Sequence, residues 1–325
     1  MHKILIVGGP TATGKTDFAL DMAKQFSGEL VSADSRQVYK GMDVVTGKDI
    51  PENFTQYSSA VTWRDKQIDY YSDGMTRLWL TDVVYPNEAF NVSFWNDCAK
   101  VVIEDIVSRG KLPIIVGVTG LYIKSLLQTI TTIHVPANPQ LRLTLEKLSR
   151  EDLLKQLQHV DPDKADSLNE SDRLNPRRLI RAIEVASSEE SFAKENQHAG
   201  NYLSVILSGP NDLMYSRIDS RVHKRITQGA EDEVKKMLEL GYSWDLPSMQ
   251  TSGYKLWKDY FEGTSSKEEL IQKWQWAEHR DFRRQLTWFK KLFPKTWFDT
   301  TKPEWKVEAE KLVTEWYNNA DATQG

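Results

Sequence analysis

Short apolar runs alternate with helical periods through the first third of the chain. Ile4-Leu5-Ile6-Val7 is short and uniformly apolar, the pattern of a strand buried on both faces. Lys15 to about Phe26 reads as a helix, and Glu29-Leu30-Val31-Ser32 as a second strand. Ser93 reads as an N-cap, followed by Phe94, Cys98, Val101, Val102, Asp105 and Ile106 at helical spacing, with Gly110 as the stop. Leu112-Pro113-Ile114-Ile115-Val116 is another buried strand whose proline is tolerated near its start. It ends in Gly117-Val118-Thr119-Gly120, and a helix opens at Leu121. Two strand–glycine turn–helix units predict an α/β fold, a doubly wound parallel sheet flanked by helices, with ligands at the carboxyl ends of the strands.

Farther along, the pattern changes twice. From Asp49 to Asp82 the chain is polar and aromatic without a clear period, which predicts an irregular or hairpin-bearing excursion. Residues 138–202 turn helical and charged, with Pro139 and Pro162 as breakers, and read as an α-helical insertion domain. Leu203-Ser204-Val205-Ile206-Leu207 returns to the sheet, so 1–137 and 203–325 form the catalytic core on this reading. Long helices follow, one from about Asp212 to Gly241 and one from Ser266 to Phe293 opened by a Ser266–Glu269 capping box.

Composition narrows the class without naming it. With 325 residues, 40% hydrophobic and 27% charged, the chain is ordinary for a globular protein of one large domain plus an insertion. Its apolar runs fall short of a membrane span, and a single cysteine, Cys98, rules out a disulfide framework and a cysteine-based zinc site. A cytoplasmic enzyme, monomeric and with no membrane partner, is the expectation. A net charge of −4 argues weakly against nucleic acid as a partner. Charge is local, however. Arg280, Arg283, Arg284, Lys290, Lys291 and Lys295 stand among Phe282, Trp288, Phe289 and Phe293. That interleaving suits a nucleic-acid surface and equally a solvated helix face over an aromatic core stripe. Trp274 and Trp288 fit the core stripe.

The chemistry begins at Gly9-Pro10-Thr11-Ala12-Thr13-Gly14-Lys15-Thr16, which matches the phosphate-loop pattern G-x-x-x-x-G-K-[ST] between a strand and a helix. Backbone N–H groups, the Lys15 charge and the helix N-terminus suit a di- or triphosphate, as in nucleotide-binding and ATP-binding proteins, and the Thr16 hydroxyl suits Mg²⁺. The fold expected is therefore P-loop NTPase-like. Strand two runs into Ala33-Asp34-Ser35-Arg36-Gln37-Val38-Tyr39, which places Asp34 beside the phosphates as a water-mediated Mg²⁺ ligand or a general base. A helix N-cap is the plain alternative for an aspartate after a strand.

With those residues in view, the chain resembles the tRNA dimethylallyltransferase family, also called tRNA isopentenyltransferase. The phosphate loop, Ser32 to Tyr39, and Lys40-Gly41-Met42-Asp43 carry the resemblance first. It continues through Leu112 to Tyr122, Asn175 to Val185, Asp245 to Lys255 and Arg283 to Trp288, in the family's order. The resemblance implies transfer of a dimethylallyl group from dimethylallyl diphosphate to N6 of adenosine 37 in the tRNA anticodon loop, with pyrophosphate leaving and Mg²⁺ assisting. It implies that Asp34 is the base, that Gly9 through Thr16 bind the diphosphate, and that Lys15, Thr16 and Arg217 act on the leaving group. It further implies tRNA contacts at Asp34, Ser35, Arg36, Gln37, Thr119, Arg142, Arg177, Arg178, Leu179, Ile180 and Arg181, and at Gln250, Thr251, Ser252, Gly253, Tyr254 and Lys255. Arg221 lies one turn from Arg217. Two departures stand out: Val118 replaces a usual glycine, and the 49–80 stretch is long and lacks an expected His-His pair.

Three other readings compete. A small-molecule P-loop kinase needs no basic downstream segments. A transferase using free adenine nucleotides shares the chemistry but not the acceptor. An inert RNA-binding protein is at odds with an intact Asp34 and Lys15. His279-Arg280-Asp281 spells the start of a kinase catalytic loop, but Gln285 stands where that loop needs Asn.

Overall fold

The structure, a computed structural model, describes residues 2–48, 50–128, 130–188 and 201–319. It divides into two compact units, Met1–Gln128 with His198–Gly325, and Thr129–Gln197. The first unit opens with β1 (Lys3–Gly8), α1 (Lys15–Gln25) and β2 (Gly28–Ser32). Five short strands follow: β3 (Thr55–Tyr57), β4 (Thr62–Trp63), β5 (Lys66–Gln67), β6 (Tyr70–Ser72) and β7 (Arg77–Trp79). Then come α2 (Val92–Ser108), β8 (Leu112–Gly117) and α3 (Gly120–Leu127). The second unit holds α4 (Pro139–Leu145), α5 (Arg150–Val160), α6 (Pro162–Ser167), α7 (Glu170–Arg173) and α8 (Pro176–Ala186). The chain returns through β9 (Asn201–Ser208), α9 (Asn211–Thr227), α10 (Ala230–Glu239), α11 (Trp257–Phe261), α12 (Lys267–Leu292), β10 (Trp297–Asp299) and α13 (Trp305–Asn318).

The main sheet has the order β10-β9-β1-β8-β2-β7-β6-β3. It is parallel from β10 to β7, with β6 and β3 added antiparallel at one edge. Successive residues of a strand face opposite sides, and the two cores obey that period. Leu5, Val7, Leu30, Ile114, Val116, Leu203 and Val205 pack with Phe18 and Met22 of α1 and with Val313 and Trp316 of α13. Ile6, Val31, Ile115 and Ile206 pack on the other side with Trp95 and Val102 of α2, Ile123 of α3, and Trp274 and Phe289 of α12. Both faces covered is what the uniformly apolar strands require. In register, Gly8 pairs with Gly117, and Ser32 with Val116, so β1, β8 and β2 end side by side.

Several boundaries differ from expectation for local reasons. Helix α2 starts two residues early because Asn91 Oδ1, not Ser93, accepts the capping bond, from Phe94 N–H at 3.1 Å. The helix expected from Asp212 to Gly241 is two helices, broken at Gly229 with φ 95°. The aperiodic excursion is a set of hairpins whose strands are only two or three residues long, too short to print a period. Its first residue, Asp49, lies outside the described residues. Trp288 departs from the core stripe at 37% exposed, whereas Trp274 is fully buried. On α12 the two readings of the basic segment coexist: Phe282 and Phe289 are buried, while Arg283, Arg284 and Lys290 face solvent.

The helical unit has its own small core of Leu145, Leu153, Leu157, Ala165, Leu179, Ile180 and Ile183. Pro139, Pro162 and Pro176 each stand in the first turn of a helix behind an Asn or Asp cap, so the breakers are also starts. Residues 189–200, part of the expected insertion, lie outside the described residues.

One glycine holds the strand ends together. A Cβ on Gly117 would stand 2.3 Å from the Ala33 carbonyl oxygen, a backbone atom that cannot swing aside. Gly117→Ala is expected to cost about 3 kcal/mol of stability, the scale of an overpacked core. The midpoint of denaturant unfolding measures it, and an unchanged midpoint would refute the close approach.

Candidate functional site

The phosphate loop leaves β1 through Gly9, whose φ is 133° and whose added Cβ would meet Leu207 O at 2.1 Å. Ala12 and Gly14 also take positive φ, 64° and 79°, turning the backbone into a concave run of N–H groups before α1. Within the loop, Thr13 Oγ1 donates to Pro10 O at 3.0 Å, and Lys15 Nζ donates to the same carbonyl at 2.5 Å. Thr11 N–H donates to Gln285 Oε1 of α12 at 2.9 Å. From α9, Arg221 Nη1 reaches Thr11 Oγ1 at 3.3 Å and Arg217 Nη1 reaches Ala12 O at 3.5 Å. Both arginines therefore attend the loop.

Asp34 follows β2 where the ladder runs on for one more bond, Ala33 N–H to Val116 O at 2.8 Å. No helix starts at Asp34. Its Oδ1 instead accepts the Arg36 N–H at 2.9 Å, closing a tight side-chain turn. Thr119 steadies the same loop, accepting Ser35 N–H on Oγ1 at 3.0 Å and donating its own N–H to Ala33 O. Burial pushes the Asp34 carboxyl above its ordinary value, against the Arg36 N–H and the charges of Arg36 and Lys15, with Glu278 adding to the rise. Burial also works to raise Asp281, but the Arg36 charge and the Ser252 hydroxyl outweigh it and hold Asp281 below the usual carboxylate range.

These groups share one cavity of about 1060 Å³. Thr11, Ala12, Gly14, Lys15 and Thr16 line it on one side, with Arg217, Arg221, Lys224 and Arg225 from α9. Asp34, Arg36, Gln37 and Glu278 line another part, and Leu20, Ile50, Pro51, Leu78, Val116 and Val118 supply an apolar patch. Ile50, Pro51 and Leu78 come from the long excursion, and Val118 from the position where glycine was the expectation. A cationic wall, an apolar patch and one raised carboxylate suit a substrate that carries an anionic group on a hydrocarbon. Among the described residues no group of three or more His, Cys, Asp or Glu is placed to hold a metal. A second cavity, of about 470 Å³, is lined by Lys40, Tyr57, Tyr71, Asp82 and Tyr85 among others and contains no phosphate-loop residue.

The remaining expected residues divide. Gly9, Pro10 and Thr13 shape the loop without lining the cavity, and Ser35 and Thr119 hold the Asp34 turn. In the helical unit, Arg142 is clamped by Glu184 through two bonds of 2.7 Å, and Arg178 pairs with Asp172. Arg177 is exposed, and Arg181 donates to Thr132 O and Val135 O. Leu179 and Ile180 are in that unit's core, so their side chains face inward. Gln250 and Lys255 are exposed, Thr251 and Ser252 half-buried, while Gly253 packs against Val45 and Tyr254 is fully buried with its hydroxyl on Glu233. Tyr254 is therefore a core residue. Glu278, Asp281, Gln285, Arg221 and Arg225 enter the site without having been singled out for it. On α12, Glu278 and Gln285 line the cavity and Asp281 is buried behind Arg36, while Arg221 and Arg225 come from α9, where Arg221 lies one turn from Arg217.

Comparison with known proteins agrees across the chain. A family model described as IPP transferase matches residues 69–292, and one described as isopentenyl transferase matches residues 2–64. The chain is 36% identical to a tRNA dimethylallyltransferase of Roseiflexus sp. (strain RS-1), over 97% of the chain and 99% of that protein. Among solved structures, a tRNA isopentenylpyrophosphate transferase from Bacillus halodurans superposes with a TM-score of 0.69 at 31% identity, covering 97% of each chain. A eukaryotic dimethylallyltransferase acting on tRNA superposes at 0.78 with 21% identity over 100% of this chain and 81% of its own, which speaks to the fold.

Proposed function

The chain belongs to the tRNA dimethylallyltransferase family, and we propose that it transfers the dimethylallyl group of dimethylallyl diphosphate to N6 of adenosine 37 in tRNA, releasing pyrophosphate. One observation carries the reading: Asp34 and the phosphate loop with Lys15 and Thr16 line the same cavity. In the reaction, the bond between C1 of the donor and its bridging oxygen breaks, the N6–C1 bond forms, and the N6 proton passes to Asp34. The allylic carbon gains positive character as the diphosphate leaves. Charge then gathers on the leaving oxygens, where loop N–H groups, Lys15 and Arg217 meet it. Adenine N6 is a poor nucleophile because its lone pair is drawn into the ring, so a carboxylate that takes its proton lowers the barrier. The base must leave the stacked loop to reach that carboxylate, at a cost of about a few kcal/mol recovered in the pocket.

Thr16 lines the cavity at the first turn of α1. Its hydroxyl fits Mg²⁺ as the protein's own ligand, the others coming from diphosphate oxygens and water, and the ion would neutralise the departing pyrophosphate. The apolar patch around Ile50, Leu78 and Val118 suits the five-carbon chain. The exposed Arg177, Gln250, Lys255 and the basic face of α12 suit tRNA. A free-nucleotide acceptor would leave those outlying cations without a role, and a kinase would leave the raised Asp34 without one.

The test is incubation with labelled dimethylallyl diphosphate and unmodified tRNA, followed by mass spectrometry of the nucleosides. Prenylated adenosine in tRNA is the expected product. Label on free AMP alone, or ATP turnover without label on RNA, would sink the reading.

A further inference from the structure

The loop that carries Asp34 is tied to α12 by a buried ion cluster. Arg36 stands at its centre. The backbone N–H of Arg36 holds Asp34 Oδ1, while its guanidinium pairs with Asp281, donates to Ser252 Oγ at 2.9 Å, and reaches Glu278 Oε1 at 3.5 Å. Ser252 Oγ donates in turn to Asp281 Oδ2 at 2.6 Å. Glu278 Oε1 also accepts from Arg225 Nη1 at 3.3 Å and Trp274 Nε1 at 3.4 Å. Glu278 and Asp281 are 4% and 3% exposed, a depth at which carboxylates persist only when paired.

A pair buried for stability alone could as well be apolar, since packed hydrophobic side chains replace such clusters at little cost. The arrangement here does something apolar packing cannot. It grips a planar guanidinium at several points, and the backbone of that same residue grips the carboxylate in the cavity. We propose that Asp281 and Glu278 are positioning residues for the transfer: by fixing the Arg36 fork they fix the turn that holds the Asp34 carboxylate toward the acceptor. The inference rests on Asp34 being the proton acceptor, as argued above. A misplacement of about 1 Å at a reacting group is worth up to ~10²-fold in rate, so the anchor matters even though it touches no substrate.

Charge offers an independent readout. The groups facing Asp34 are Lys15 from α1, Arg36 in its own turn, Glu278 from α12 and the Tyr122 hydroxyl from α3. Lys15 and Arg36 favour the ionised form and Glu278 opposes it. Removing the Glu278 charge therefore makes Asp34 easier to ionise, and the acidic limb of kcat/KM moves to lower pH.

Asp281→Asn and Glu278→Gln are made in the full chain, and three quantities are compared with wild type: kcat with tRNA, pyrophosphate affinity, and the pH profile. The expected result is a loss of roughly 10-fold or more in kcat for each, pyrophosphate affinity within about twofold of wild type, and an acidic limb displaced downward in Glu278→Gln. Should Asp281→Asn fail to fold, Glu278→Gln decides alone. Wild-type kcat and an unmoved limb overturn the proposal, as does a kcat loss matched by lost pyrophosphate affinity, which marks general damage. If wild-type protein itself fails to prenylate tRNA, the functional reading falls instead, so the two failures are distinct.

Discussion

Asp34→Asn is expected to lower the turnover of dimethylallyl transfer by ~10²–10⁴-fold, the range a positioned general base contributes, while pyrophosphate still binds. Asparagine keeps the shape of the side chain and an oxygen for the Arg36 N–H, so the turn at 34–36 survives. What it cannot do is take the N6 proton. The pH dependence follows from the same group. Because burial raises the Asp34 carboxyl above its ordinary value, the wild-type rate should fall on acidification at a pH above the usual aspartate range, and the residual rate of the variant should lack that limb. Stability moves the other way. An acid whose folded-state value is raised is more protonated in the fold than in the unfolded chain, so stability falls as pH rises from the ordinary value through the raised one. At any pH above the ordinary aspartate value the wild type carries some of that penalty and Asp34→Asn carries none of it. The variant is therefore expected to melt at a higher temperature than wild type at pH 7. Wild-type turnover in a folded Asp34→Asn protein would falsify the assignment of the base.

That one residue should be costly to the fold and needed for the reaction fits how legible each part of this chain was. The strands β1, β2, β8 and β9 were readable because both their faces are covered, and uniform apolarity follows from that directly. The added edge of β7, β6 and β3 was not, because three-residue strands held by hairpin turns print no period, and Leu80 and Asp82 turn the chain at positive φ without a glycine to mark it. The break at Gly229 was visible as a glycine, yet the helical pattern on both sides hid it. Trp288 shows the limit of periodicity: spacing places it beside Phe289, yet Phe289 packs on Gly8 at the end of β1 and is buried, whereas Trp288 meets Gly120 of α3 and stays 37% exposed.

In the site, the parts built from contiguous sequence were legible and those assembled across the fold were not. The phosphate loop declares itself because its glycines answer to backbone geometry within a few residues. Asp34 was placed by its position at the end of a strand next to that loop, an argument of topology. Gln285, Glu278 and Asp281 lie some 240 residues or more from the groups they hold, and nothing local in α12 distinguishes a buried carboxylate bound for Arg36 from one that faces water. Leu179 and Ile180 show a different limit: the resemblance names the whole segment, while helix amphipathicity turns these two side chains into the core of the helical unit.

Lys15→Met should separate the leaving-group half of the site from the base. The lysine is 8% exposed, and its Nζ donates into the loop at Pro10 O. Methionine keeps the length of the stem and fills the same space, but removes the charge and the donor. Thr13 on Pro10, Gln285 on Thr11 and the left-handed turns at Ala12 and Gly14 still shape the loop, so its backbone conformation is expected to persist. The point charge is gone from where pyrophosphate oxygens gain charge as the carbon departs. One preorganised donor at such a place is worth ~10²–10³ in kcat. Because pyrophosphate carries the same oxygens in the ground state, its affinity should fall as well. The two substitutions then give opposite signatures: Asp34→Asn loses rate and keeps pyrophosphate, whereas Lys15→Met loses both, measured by calorimetry with pyrophosphate and by transfer to tRNA. A Lys15→Met protein with wild-type affinity and rate would mean that the loop does not hold the leaving group, and the cationic face of α9, with Arg217 and Arg221, would have to carry that charge instead.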